Sequence, residues 1–217
     1  MKSSFVQCFS NVFSYLDDAH ISQLESLNFD LDICVAEILD DNFSVTENTV
    51  RAQESITEAC LKILGELSQA GTAYTSRLVS KRPDLKLLAN LSRILLDSKQ
   101  DIKKQVFFLL WNFSSNTIED SRTIAESGFI GLSITFIQSG SPTMKFEALR
   151  FLCNWVVFCH DKYPMGPFLV RCVCQEHEIQ QIFLDVLRCR DYDQHANSKK
   201  ILCMAVLERL FSLECVL

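Results

Sequence analysis

Apolar residues recur at helical spacing along the whole chain, and nowhere alternate as a half-buried strand would. Phe5, Cys8, Phe9, Val12, Phe13 and Leu16 give an amphipathic helix over residues 1–18, followed by a short helical stretch over 20–28. A helix is predicted over 31–41, ended by Asn42, and a longer one over 47–69 with Ile56, Cys60, Ile63, Leu64 and Leu67 on its apolar face. Ala70-Gly71 closes it, glycine being a common helix terminator. Further helices are expected at 73–80, at 84–97 with Pro83 at its start, and from Asp101 to about 115. The next run from Ile118 to a break at Gly128, then over 129–137 and 143–159, the last two separated by Ser139-Gly-Ser-Pro142. Stretches at 166–175, 176–188 and 196–214 complete the pattern.

These helices fall into units of short, medium and long helix, and the long helices repeat a motif. Lys103-Lys104-Gln-Val-Phe-Phe108-Leu-Leu-Trp-Asn112-Phe113 returns as Met144-Lys145-Phe-Glu-Ala-Leu-Arg150-Phe-Leu-Cys-Asn154-Trp155, with the two asparagines 42 residues apart. A weaker copy, Glu58 to Leu67, places Glu66 46 residues before Asn112. A period of about 40 to 47 residues built from helices alone indicates a stacked α-solenoid.

The repeated motif, together with the break Ala125-Glu-Ser-Gly128-Phe-Ile, resembles the armadillo repeats, and within them the importin-α type. Residues 101–159 carry the clear match, while 31–100 and 160–217 fit more loosely. The resemblance implies an all-α, right-handed armadillo-like α-solenoid of about three to four three-helix repeats over 31–217; residues 1–30 have no counterpart in it and read, from their helical spacing and charge, as an acidic helical cap. In importin-α-like proteins each third helix offers an asparagine to the backbone of an extended peptide, and a tryptophan one turn earlier forms a slot for a lysine stem. Asn112 and Asn154 match that asparagine; Glu66 stands in its place in the first unit and Arg209 in the fourth. Phe108, Arg150 and Lys62 occupy the tryptophan position. Phe108 can still stack on a cation, but Arg150 and Lys62 would repel a basic peptide.

What the resemblance leaves is a groove edged with Lys103, Lys104, Lys145, Arg150, Lys199 and Lys62, suited to an acidic segment. The residues expected to bind a partner are Asn112, Asn154, Phe108, Arg150, Lys104 and Lys145. Each has a plainer reading: the asparagines can bond neighbouring helix ends, and the lysines can simply face water.

Composition narrows the function classes. Nearly half of the 217 residues are apolar (48%), enough for a continuous core, and only six glycines and four prolines punctuate the chain. Residues 1–66 carry twelve acidic and three basic side chains, and residues 67–217 carry fifteen and eighteen, giving a net charge of −6. That acidity argues against a protein that works by neutralising phosphates. No apolar run is long enough to predict a membrane span. Ten cysteines suggest a disulfide framework until their positions are read. Cys34, Cys60, Cys153 and Cys203 sit inside apolar helical patterns, where a thiol acts as a small hydrophobe. A reduced chain in the cytoplasm and/or nucleus is therefore expected.

Chemistry is scarce. Cys172-Val-Cys174 with His177 and Cys159-His160 nearby is the one metal-like cluster, but one residue between cysteines is too few for a zinc knuckle. On a helix those two cysteines also point to opposite sides. No nucleophile elbow, phosphate loop or facing carboxylate pair is present in the sequence. Neither metal nor cofactor is expected, and the chain reads as a non-enzyme. The expected function is an adaptor that binds a protein or extended peptide, of acidic character, along its third helices. The alternatives are a diverged importin-α-like transport factor, and a structural subunit that self-associates through its apolar C-terminal end, Leu210 to Leu217.

Overall fold

The computed structural model describes residues 31–44, 50–70, 72–81, 86–162, 166–176, 178–188 and 196–214. The expected cap at 1–30 and the last apolar residues lie outside the described residues. Two compact units divide the chain after Asn116.

In the first unit, α1 (Leu31–Ser44) packs on α2 (Val50–Ala70). A one-turn helix α3 (Thr72–Ser76) continues into a π turn at Arg77–Lys81, and α4 (Leu87–Asp97) and α5 (Gln100–Ser114) follow. The medium helices pair, α1 with α4, and so do the long ones, α2 with α5. Cys60, Leu64 and Leu67 of α2 and Val106, Leu109, Leu110 and Phe113 of α5 are fully buried, and the two helices pack on one another. Such spacing is what an amphipathic helix needs to bury one stripe. Several expected boundaries move, among them the start of the helix expected at 176, which lies at Ile179. Asn42 lies inside α1, and α4 begins at Leu87 rather than at 84.

The second unit repeats the scheme twice. Helices α6 (Ile118–Glu126), α7 (Phe129–Ser139) and α8 (Pro142–Lys162) form one triplet, and α9 (Gly166–Glu176), α10 (Ile179–Arg188) and α11 (Ala196–Glu214) the next. The long helices α8 and α11 pair, and the short α6 meets α9. Thr117 caps α6, its hydroxyl accepting the Asp120 backbone N–H at 3.1 Å, while Glu119 and Asp120 suit the positive end of that helix. Trp155 of α8 is fully buried and donates its indole N–H to the Ser121 carbonyl of α6 at 3.0 Å.

One device recurs at the break before each second helix of the three triplets. Lys86, Gly128 and Glu178 all adopt left-handed backbone, with φ of 49°, 84° and 50°. Each is followed at once by a buried apolar residue, Leu87, Phe129 or Ile179, that starts the next helix. A single left-handed residue reverses the chain sharply enough to lay one helix across the next.

Candidate functional site

The third helices α2, α5, α8 and α11 carry most of the residues that the sequence singles out. Counted from the first residue of each helix, Lys103, Lys145 and Lys199 hold the same place in α5, α8 and α11. Asn112 and Asn154 likewise share a place in α5 and α8, and that place in α11 falls on Glu208, one residue before Arg209.

In the first unit, Asn112 is half-buried and donates one amide hydrogen to the Ser68 hydroxyl of α2 at 3.0 Å. Ser68 in turn donates to the Gly65 carbonyl at 2.7 Å. A second link of the same kind lies one turn on, where Asn116 donates to Ser76 at 2.9 Å. The other side-chain amide hydrogen and the side-chain Oδ1 of Asn112 have no protein partner among the described residues. Phe108 lies one turn before Asn112 and is half-buried. It stands edge-on to Trp111, with ring centroids 5.8 Å apart, and beside the bare Cα of Gly65. Lys104 pairs with Asp101 at 2.9 Å, and Lys103 donates to the Leu96 carbonyl at 2.9 Å.

In the second unit, Asn154 is half-buried and engaged within the protein. Arg150 pairs with Glu147 at 2.9 Å on its own helix. Arg209 is held by Asp161, its Nε and Nη2 reaching the carboxylate at 2.7–3.1 Å, and its Nη1 donates to the Ala205 carbonyl at 2.8 Å. That grip, helped by His160 at 2.8 Å, holds the Asp161 carboxyl below its ordinary pKa. Lys145 sits apart from Asn154. Nine residues of helix separate them, roughly 13.5 Å along the axis. Lys145 instead lines a cavity of about 190 Å³ with Lys199, Ile137, Gln138, Leu149, Ile182, Asp185 and Val186. Sequence reasoning did not find this cavity, because its walls come from four helices, α7, α8, α10 and α11.

Five of the seven described cysteines are buried in the core, whereas Cys172 and Cys34, the latter expected among the apolar positions of its helix, are exposed. Burial pushes the thiols of Cys60, Cys174 and Cys203 up to about 12 and that of Cys159 to about 11, so none is a thiolate at neutral pH. Cys172 is exposed whereas Cys174 is buried, so the two do not face one point. Asn90 is buried and donates its side-chain amide to Asp40 at 3.0 Å. No helix among the described residues is long and apolar enough to cross a membrane.

The fold has solved counterparts. An engineered protein from a structural-genomics programme superimposes with a TM-score of 0.69 at 14% identity, over 97% of this chain and 73% of its own. A designed armadillo repeat protein, in complex with the peptide (KR)4, does so with a TM-score of 0.67 at 13% identity, over 95% of this chain and 74% of its own. No protein-family model matches the sequence, and no curated protein matches it significantly. The chain therefore has an all-α, armadillo-like repeat fold.

Proposed function

We propose that this chain is a non-enzymatic adaptor that holds a protein partner, through an extended segment, along the face of its third helices. The observation that carries the reading is Asn112. Its side chain is anchored by one hydrogen to Ser68, while its second amide hydrogen and its oxygen have no partner among the described residues. That is the donor–acceptor pair that one peptide unit needs, set on a rigid helix beside the ring of Phe108. The solved armadillo counterpart holds a peptide of lysine and arginine. Here Lys62 and Arg150 stand where the importin-α type carries its tryptophans, which favours an acidic segment over a basic one. The ion pair of Lys104 is an exposed pair within one helix, weak enough to be exchanged for a ligand carboxylate, whereas that of Arg150 with Glu147 is half-buried. Location in the cytoplasm or nucleus accords with buried, neutral thiols in the core.

The test is co-purification from cells followed by mass spectrometry, comparing the wild type with an Asn112→Ala/Asn154→Ala/Arg150→Glu variant shown to fold by circular dichroism. Loss of one partner in the variant supports the reading, and retention of every partner refutes it.

A second reading has its own observation. Ile201, Met204 and Phe211 are 68%, 63% and 47% exposed on one face of α11. Such an apolar stripe fits assembly through the C-terminal end of the chain. Sedimentation equilibrium of the wild type and an Ile201→Ser/Met204→Ser variant decides it: a concentration-dependent dimer lost in the variant supports assembly, and a monomer at all concentrations removes it.

A further inference from the structure

Helix α11 is apolar on two sides. Cys203, Val206, Leu207 and Leu210 are buried, yet Ile201, Met204 and Phe211 are exposed, three of the four exposed large apolar side chains among the described residues. A helix that is apolar all round is one that is covered all round, so the outer side of α11 calls for a cover. Counted from each helix start, Ile201 and Met204 stand where α8 has Glu147 and Arg150, and Glu208 stands where it has Asn154. The outer row of α11 therefore does not repeat the polar face of the helix before it.

The charges beside the stripe decide what the cover is. Lys200 and Glu208 lie four residues before and after Met204, about one helical turn each way, and both are exposed. Neither has a hydrogen bond or ion pair among the described residues. Glu208 adds only its charge to neighbouring Arg209, which Asp161 grips. A face with a positive charge on one side of its centre and a negative charge equally far on the other is complementary to itself turned end for end. Two copies of α11 laid antiparallel about Met204 set Lys200 of each opposite Glu208 of the other, with Met204 on Met204 and Ile201 beside it. A parallel pair sets Lys200 beside Lys200 and Glu208 beside Glu208, which repels.

We propose that a second copy of this chain covers α11, the two helices running antiparallel about a two-fold axis at Met204 and held in register by two Lys200–Glu208 pairs. This pairing rests on assembly through the exposed face of α11, and goes beyond it in fixing the orientation of the copies and the residues that specify it. Ile201, Met204 and Phe211 supply the apolar area, and the charged pairs at the rim select the antiparallel arrangement.

The experiment is sedimentation equilibrium of the full chain as wild type, Lys200→Glu, Glu208→Lys and the double variant, each shown to fold by circular dichroism. The wild type is expected to dimerise. Each single reversal is expected to raise the dimer Kd about tenfold, because both pairs become repulsive. Lys200→Glu/Glu208→Lys, which exchanges the charges, is expected to restore the wild-type Kd. An equimolar mixture of the two single variants is expected to associate more tightly than either alone. A dimer that the single reversals leave unchanged, or that the double reversal fails to restore, overturns the antiparallel pair while leaving assembly in another orientation. A wild type that stays monomeric at every concentration overturns assembly and pairing together.

Discussion

Asn112 of α5 reaches across to Ser68 of α2 and donates to its hydroxyl at 3.0 Å, joining consecutive third helices by a side-chain bond. The asparagine is therefore both a tie within the first unit and the candidate contact for a partner. Asn112→Ala removes the tie, and a stability loss of about 1 kcal/mol is expected, read from a urea midpoint. Ser68→Ala should cost a similar amount, and the double variant less than the sum of the two. Full additivity would show that the bond contributes nothing in solution.

Trp155 follows Asn154 in the repeated motif, and the structure turns it inward onto the Ser121 carbonyl rather than outward. Trp155→Phe keeps most of the buried ring but leaves that carbonyl without its donor, so a loss of about 1–3 kcal/mol is expected. Trp155→Ala adds a cavity and should lose about 3–5 kcal/mol, enough to threaten folding. Thermal melts of both variants check the order. Equal losses would mean that the indole N–H is unimportant.

The left-handed breaks give substitutions of opposite sign. Gly128→Ala places a side chain at φ 84° and should destabilise by about 1–2 kcal/mol although open space surrounds the position. Glu178→Gly relieves the same strain at φ 50° and should stabilise by roughly 0.5–1 kcal/mol. Differential scanning calorimetry on the two variants tests both signs; a stabilised Gly128→Ala would contradict the description of the break.

How much of this could be read from the chain differs from one feature to the next. The Gly128 break was legible because glycine advertises its conformation. Lys86 and Glu178 do the same work with residues that carry no such signal, which is why the start of α4 was misplaced at 84 instead of Leu87. The π turn at Arg77–Lys81 has no sequence signature either. Helix periodicity placed Asn112 and Lys145 on long helices, but it could not show that Ser68, 44 residues earlier, receives the asparagine. Nor could it show that Lys145 would share a cavity with Lys199 rather than a face with Asn154. Those facts depend on how separate helices are brought side by side, and spacing along one helix does not report it.

Asp161 provides the pH dependence. Its hydrogen bonds to Arg209, and next to His160, hold the folded carboxyl below its unfolded pKa near 3.8. A depressed carboxyl stabilises the fold fully above the unfolded pKa, and the contribution fades as pH falls through the folded value. Both side chains are partly exposed, so the contribution is at most about 1 kcal/mol after solvent screening. The wild type should therefore exceed Asp161→Asn in urea midpoint at pH 7, and the gap should close as the pH falls through the depressed carboxyl pKa. A gap that persists in acid would assign the effect to packing instead of charge.

The most direct test of the adaptor reading is fluorescence anisotropy of the full chain with extended peptides of matched length, one acidic, one basic and one neutral, against wild type and Asn112→Ala/Asn154→Ala. The account predicts saturable binding of the acidic peptide, weakened by salt and reduced about tenfold in the double variant. Binding of the acidic peptide that the double variant leaves unchanged, or a preference for the basic peptide, would contradict it.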